Sequence, residues 1–177
     1  MACFVPEKNS IAFCPGLSGF KDEMEICVSP EQAVLLGKFY EIMVAANRRI
    51  NLVSRNPTKT TLIEDQILES LLAQPVLKEF DPERVLDLGS GGGVPGVPLA
   101  IMNPDCRFDL LDASLKRTNH LVKTIQTLSL DNTSVIRARV EELSTKDCYK
   151  KGFDLILARG VRNLPGLVPY IRNTVRD

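Results

Sequence analysis

Residues 86–100, LDLGSGGGVPGVPLA, form the stretch that decides the fold. They open with an apolar segment containing an acid, continue with four glycines in five positions, and end in an apolar run that two prolines interrupt. Glycine adopts backbone conformations closed to other residues and lets a ligand approach the amides closely. This stretch therefore predicts a strand, a ligand-binding loop and the start of a helix.

Apolar segments resembling this first strand recur along the rest of the chain. The predicted strands are RVLDLG (84–89), RFDLLDA (107–113), TSVIRARV (133–140) and FDLILARG (153–160). Helix-like segments separate them, and strands alternating with helices indicate right-handed crossovers and a mostly parallel sheet. We therefore predict a doubly wound, Rossmann-like α/β fold. The residues after Gly160 are too few for the further strands that usually complete such a sheet, and they predict one short helix.

A helical extension is predicted before the glycine loop. Residues 1–28 have no clear period, and we expect them to be irregular. Ser29 is a suitable N-cap, with Pro30 at the first helical position. Apolar residues follow at helical spacing, namely Val34, Leu35, Phe39, Ile42, Met43 and Ala46, and a second helix is predicted over 61–77. The chain divides into an N-terminal irregular and helical part, 1–80, and an α/β domain, 81–177.

Composition and charge restrict the class of protein. The formal net charge is zero, so no global positive field draws the chain to nucleic acid. Five scattered cysteines and one histidine give no metal-binding spacing, and they indicate reduced thiols and no metal site. No apolar run approaches the roughly 18 residues of a membrane span, and the N-terminus does not resemble a secretory signal. We expect a cytoplasmic protein.

One interpretation of the glycine loop is a dinucleotide site. Gly91, Gly93 and Gly96 match the GxGxxG pattern, and Asp112 follows about 20 residues on, as that motif requires. The two prolines, however, stand where the helix should donate amides to a pyrophosphate. This interpretation is therefore disfavoured.

The other interpretation places an acid at the end of the strand and alternating glycines after it, as Asp87, Gly89, Gly91 and Gly93. This order is typical of S-adenosylmethionine-dependent methyltransferases with a Rossmann-like fold. In them the loop holds a methionine group and a ribose, and no phosphate has to be neutralised. The sequence favours this cofactor.

Three further positions fall at the ends of later strands. Asp112 can accept hydrogen bonds from ribose hydroxyls under either interpretation. Its alternative role is a helix N-cap, which Ser114 could fill instead, and Asp112→Ala is expected to weaken cofactor binding with little loss of stability. Val140 and Glu141 would lie along an adenine, although an acid such as Glu141 also favours a helix start for dipole reasons alone.

The chain resembles the bacterial glucose-inhibited division protein B family over about residues 47–160. Successive blocks carry the resemblance: NLVSR, RVLDLGSGGGVPGVPLAI, FDLLDASLKR, RARVEEL and FDLILARG. The GxPGxPLAI stretch is the most specific, because most methyltransferases lack its prolines. The resemblance implies S-adenosylmethionine-dependent methylation of guanine N7 in small-subunit ribosomal RNA, with residues 81–177 forming the methyltransferase domain. It also implies ribosomal RNA as partner, and we expect a monomer.

The resemblance and the loop pattern together imply a set of cofactor-binding residues. These are Gly89, Gly91, Gly93, Val94, Asp112, Ala113, Ser114, Val140, Glu141 and Arg159. Guanine N7 has a free lone pair, so no general base or nucleophile is expected and we assign no catalytic residue. His120 is expected to be a surface or packing residue. Arg159 could face either the methionine carboxylate or an RNA phosphate.

The chain also departs from the family pattern. The helix before the first strand usually carries Arg-His and Asp-Ser pairs, and here these read Asp65-Gln66 and Glu69-Ser70. A methyltransferase for another substrate and a non-catalytic S-adenosylmethionine-binding module therefore stay open as alternatives. Phosphate contacts would come from basic residues, for which the candidates are Arg48, Arg49, Arg55, Lys59, Lys116, Arg117, Lys123, Arg159 and Arg162.

Overall fold

The computed structural model describes residues 2–5, 10–13, 26–50, 59–161 and 163–176 of the chain. The strands are β1 (Ala2–Val5), β2 (Ser10–Phe13), β3 (Arg84–Leu88), β4 (Arg107–Leu111), β5 (Thr133–Ile136) and β6 (Leu155–Ala158). The helices are α1 (Pro30–Ile50), α2 (Lys59–Leu71), α3 (Gln74–Phe80), α4 (Gly96–Met102), α5 (Leu115–Leu128), α6 (Val140–Leu143) and α7 (Leu164–Thr174), with a 3-10 turn at Asp147–Tyr149. The four predicted strands and the single helix after them are confirmed.

The strands form one sheet in the order β2-β1-β6-β3-β4-β5. β6, β3, β4 and β5 are parallel, which confirms the predicted Rossmann-like α/β arrangement. The chain adds β4 and β5 on one side of β3 and then returns to place β6 on the other side. The strand order therefore reverses beside β3, and ligands of open α/β sheets bind outside the carboxyl ends of the strands at such a point.

Two short strands lie in the segment that we expected to be irregular, and that expectation was wrong for residues 2–5 and 10–13. β1 pairs antiparallel with β6, with Ala2 opposite Ala158, and β2 pairs antiparallel with β1. Strands of four residues show too little alternation to be recognised in a sequence. β1 finds its partner in β6, about 150 residues away in the sequence, and β2 in turn pairs with β1.

The start of α1 is confirmed, whereas the single helix over 61–77 is two helices. Ser29 Oγ accepts a hydrogen bond from the Gln32 N–H at 3.2 Å, and the Ser29 N–H donates to Gln32 Oε1 at 2.9 Å. This reciprocal pair is a capping box. α2 ends at Leu71, and α3 begins at Gln74 with Pro75 in its first turn. Proline lacks the N–H that a continuous helix would need, and it fits a first turn well.

Helices cover both faces of the parallel strands. Neighbouring residues of β3 point to opposite faces, so Val85 packs with Leu77 and Leu99 while Leu86 packs with Leu143. A third cluster joins the helical extension to the α/β part, and its fully buried members include Phe39 and Met43 of α1, Val97 of α4, Leu110 of β4 and Leu121 of α5. Across the described ranges, no helix is long and apolar enough to cross a membrane.

Candidate functional site

The predicted site residues gather at the carboxyl ends of the parallel strands. The glycine loop follows β3, Asp112 to Ser114 follow β4, Val140 opens the helix after β5, and Arg159 follows β6. The loop stands where the strand order reverses. Four separate parts of the sequence are thus brought to the edge of the sheet where a ligand is expected.

The glycine loop, residues 89–93, is fixed by backbone hydrogen bonds to the end of β4. Gly89, Gly91 and Gly93 have positive φ angles of 77°, 56° and 103°, a region that non-glycine residues rarely adopt. The Gly89 and Ser90 N–H groups both donate to the Leu111 carbonyl, at 2.8 and 3.0 Å. A side chain added at Gly91 would meet only the Gly89 carbonyl, at 3.7 Å. The loop therefore keeps open space above Gly91.

The first turn of α4 has no amide left for a phosphate. The Gly96 N–H donates to Asp87 Oδ2, the Val97 N–H to the Gly93 carbonyl, and the Leu99 N–H to the Pro95 carbonyl. Residue 98 is a proline and has no N–H. Phosphate binding at a helix start depends on free amides. The geometry therefore argues against the dinucleotide interpretation, for the reason that the two prolines suggested.

Asp87 is a buried carboxyl directly beneath the loop. It is 0% exposed, and Oδ2 accepts the Gly96 N–H at 3.1 Å. Oδ1 has no hydrogen-bond partner within the described residues. Burial raises the pKa of this carboxyl from 3.8 to about 7, against the opposing effects of hydrogen bonds from Ser90 and Gly96. When ionised, this carboxyl directly beneath the loop favours a cationic ligand over an anionic one through its charge.

We expect Asp87→Asn to remove a pH dependence from the folding stability. The folded-state pKa lies above the unfolded value, so the folded protein binds more protons and its stability falls as the pH rises from about 4 to about 7. The difference between a pKa of 3.8 and one of about 7 corresponds to about 4 kcal/mol of unfolding free energy. Urea unfolding at several pH values measures the difference between variant and wild type, with exposed Asp131→Asn as the control. Parallel pH profiles for Asp87→Asn and the wild type would contradict the assignment.

Asp112 ties the loop to the start of α5. It is 6% exposed; Oδ2 accepts the Gly91 N–H at 3.0 Å, and Oδ1 accepts the Ser114 N–H at 2.8 Å. Arg117 Nη1 lies 3.5 Å from Oδ2. Ser114 occupies the N-cap position, but its hydroxyl makes no capping hydrogen bond. The N-cap position of α5 is thus held by Ser114 and not by Asp112, which instead fixes the amide at the most open part of the loop.

The residues after β5 have a clear structural role and an untested ligand role. Val140 is buried in the core with Leu111 and Ala138, whereas Glu141 and Val94 are half-buried. Glu142 closes the first turn of α6, since its Oε2 accepts the Arg139 N–H at 3.4 Å. Glu141 and Glu142 thus both place an acid in the first turn of α6, where a negative charge stabilises a helix start. The placement of Val140 and Glu141 along an adenine stays a prediction.

Arg159 is held by α2, a contact that sequence reasoning missed. Its Nη2 donates to Glu69 Oε2 at 2.6 Å, and its Nη1 donates to the Gln66 carbonyl at 3.0 Å. The Ser70 hydroxyl donates to the same carbonyl at 2.6 Å. Glu69 and Ser70 stand where the family pattern has Asp-Ser, so an acid is present at the aspartate position. The sequence signal for this contact is the acid at position 69, although glutamate there departs from the aspartate of the family pattern.

The basic candidates are distributed unevenly. Lys116 and Lys123 are exposed on α5, and Arg117 is near Asp112. His120 is half-buried; burial lowers the pKa of its imidazole, and a hydrogen bond with the Gly92 backbone opposes the shift. This agrees with a packing role. Arg55 and Arg162 lie outside the described residues, as do the side chains of Arg48, Arg49 and Lys59. The described residues include no group of acids, cysteines and histidine that could hold a metal.

Comparison with known proteins gives consistent matches. The GidB family model, rRNA small subunit methyltransferase G, matches residues 32–177. Ribosomal RNA small subunit methyltransferase G of Rubrobacter xylanophilus is 36% identical over 152 residues, which are 84% of this chain and 56% of that protein. The Laribacter hongkongensis protein of the same name is 34% identical over 155 residues, 88% and 71% of the two chains. This chain thus spans little more than half the length of the first relative.

A solved structure shows the same fold. The methyltransferase PaMTH1 of Podospora anserina, crystallised with S-adenosylhomocysteine, superposes with a TM-score of 0.59 at 16% identity. The match covers 85% of this chain and 68% of the other. At this identity the match establishes the Rossmann-like architecture and nothing about the substrate.

Proposed function

This chain belongs to the rRNA small subunit methyltransferase G family, and from that premise we propose that it transfers a methyl group from S-adenosylmethionine to guanine N7 of small-subunit ribosomal RNA. We further propose that it acts in the cytoplasm as a monomer. The relatives' names support the RNA substrate. The arrangement of the glycine loop supports the cofactor.

The observation that most supports S-adenosylmethionine as the cofactor is a helix start without free amides combined with a buried acid beneath the loop. The Gly96 N–H donates a hydrogen bond to Asp87 Oδ2, and Asp87 Oδ1 has no hydrogen-bond partner among the residues that the structure describes. S-adenosylmethionine is cationic at its sulfonium and its ammonium group, and it carries no phosphate. The residues present therefore fit this cofactor better than a dinucleotide.

Each strand end contributes a different contact in this proposal. The loop would hold the methionine part over Gly89, Gly91, Gly93 and Val94. Asp112, with Ala113 and Ser114, would accept the ribose hydroxyls, because a buried carboxylate forms strong charge-assisted hydrogen bonds. Val140 and Glu141 would border the adenine, and Arg159 would bind the methionine carboxylate. The division of the chain near residue 80 likewise stays a proposal.

The chemistry demands orientation from these residues rather than proton transfer. When bound, the cofactor supplies a methyl group on an electrophilic sulfonium. Guanine N7 presents a free lone pair, so the chain does not have to remove a proton from the acceptor. Rigid positioning of two reactants can lower a barrier by about 7–11 kcal/mol. The pinned loop and the ion pair at Arg159 provide such rigidity.

Binding and transfer can be tested separately. Calorimetric titration should show binding of S-adenosylmethionine and not of NAD, and tighter binding of NAD would contradict the cofactor assignment. Methyl-tritiated cofactor should then label small-subunit ribosomal RNA that lacks the modification, with release of N7-methylguanine on hydrolysis. RNA already methylated at that position is the control. Cofactor binding without label in RNA would favour another substrate or a non-catalytic module.

A further inference from the structure

A groove between α1 and α5 lies outside the cofactor site. It has a volume of about 410 Å³, with Ile42, Ala45 and Ala46 on the α1 side. The α5 side is formed by Lys116, Asn119, His120, Lys123, Thr124 and Thr127. These positions recur at helical spacing, so they form one continuous face of α5. The two alanines leave the space that a larger side chain would fill.

The charged side chains described in this groove have one sign. Among the described residues that line it, only Lys116 and Lys123 are charged, and both are exposed. Neither lysine has an ion-pair partner in the described part of the chain. They are two helical turns apart, about 10 Å along the axis. Among the described residues, two cations thus stand without an ion-pair partner beside an open cavity.

The groove also connects to the glycine loop. His120 lines it, and its half-buried imidazole lies close enough to the Gly92 backbone to influence the imidazole pKa. The neighbouring Arg117 is directed to Asp112 instead. Asn119 lies between the lysines and offers an amide that can pair with a base edge. Cations that can position a phosphate backbone, beside a space of nucleotide size, suit a segment of single-stranded RNA.

We propose that the α1–α5 groove is a docking surface for a single-stranded segment of the RNA substrate, with Lys116 and Lys123 contacting successive phosphates and a base entering the space over Ala45 and Ala46. This rests on the proposed function, since it assumes that RNA is the substrate. The surface places RNA along the helical face that leads to the loop.

The test combines a charge change with a shape change. Lys116→Gln/Lys123→Gln is compared with Lys78→Gln/Lys146→Gln, which removes the same charge from exposed sites elsewhere. Ala45→Leu fills the groove at constant charge. Fluorescence anisotropy measures binding of a labelled single-stranded fragment of small-subunit ribosomal RNA over a salt series. Calorimetry with S-adenosylhomocysteine and thermal unfolding verify that each variant keeps its cofactor affinity and its fold.

We expect the groove double variant to bind RNA about 10-fold more weakly near 0.15 M salt, and the slope of log affinity against log salt to fall by about 1.4. Ala45→Leu should weaken RNA binding at an unchanged slope, and the control pair should match the wild type.

Equal effects of the two lysine pairs, or none, would overturn the proposal. Lysine-dependent binding of polyglutamate but not RNA would overturn it in favour of an acidic protein partner. If the wild type labels ribosomal RNA and the groove variants label it equally well, only the docking surface fails; if the wild type transfers no methyl group, the proposed function fails.

Discussion

Gly96→Ala is expected to lower the free energy of unfolding by about 3 kcal/mol and to abolish detectable cofactor binding. A Cβ at this position would lie 2.6 Å from Asp87 Oδ2 and closer still to Leu110 Cδ2. Both side chains are 0% exposed, so neither has space to retreat. The Asp87 carboxyl would lose the Gly96 N–H, which is the donor that its Oδ2 accepts.

A second glycine provides a matched control. Gly37 lies within α1, and a Cβ there would meet nothing within 4 Å. Gly37→Ala should stabilise the protein by about 0.5–1 kcal/mol, because alanine has the higher helix propensity. Urea unfolding and calorimetric titration of both variants measure the effects. Equal stabilities of Gly96→Ala and the wild type would show that the Asp87–Gly96 contact is not the anchor of the loop.

The strands and the loop could be predicted because their signals are local. β3 and β6 are short apolar runs bounded by glycine or proline, and the structure buries nearly every residue in them. The positive φ angles of Gly89, Gly91 and Gly93 are the physical reason for the glycine pattern. A carboxyl end of a parallel strand also has a fixed relation to its neighbours. The approximate place of the site therefore followed from the order of the segments.

Features that depend on distant partners could not be predicted. Val34 and Leu68 fit the apolar stripes of their helices, but they are 57% and 61% exposed, whereas Phe39 and Met43 of the same α1 stripe are fully buried. The Arg159–Glu69 ion pair joins residues 90 positions apart. Periodicity reports which residues share a face and does not report which face is covered. An ion pair between residues so far apart in the sequence produces no recognisable local sequence pattern.

Two acids hold the glycine loop and the start of the helix after it at two points. Asp87 binds the Gly96 N–H at the start of α4, and Asp112 binds the Gly91 N–H in the middle of the loop. The loop amides are thus fixed before any ligand arrives, which reduces the entropy that binding has to overcome. The two acids differ in their surroundings, because Arg117 lies near Asp112 while Asp87 is fully buried. We infer that Asp112 is the acid with capacity left for ribose hydroxyls.

Asp112→Ala is expected to weaken S-adenosylmethionine binding by at least about 100-fold, equivalent to about 3 kcal/mol. The variant removes the acceptor for the two ribose hydroxyls and releases the loop amide at Gly91. The contacts also revise the prediction of little stability loss, because the Gly91 and Ser114 N–H groups both lose their acceptor. We now expect a loss of about 1–3 kcal/mol in unfolding free energy.

Asp112→Asn separates the two contributions of this carboxylate. The asparagine keeps the volume and one acceptor, so the hydrogen bond to the Ser114 N–H can survive, whereas its NH₂ group would face the Gly91 N–H. If the carboxylate charge binds the ribose, this variant should lose most of the affinity while keeping most of the stability. Calorimetric titration and urea unfolding of the same samples measure both, with exposed Asp131→Ala as the control. If the loss of binding free energy is no larger than the loss of unfolding free energy, Asp112 supports the loop and is not a ligand contact.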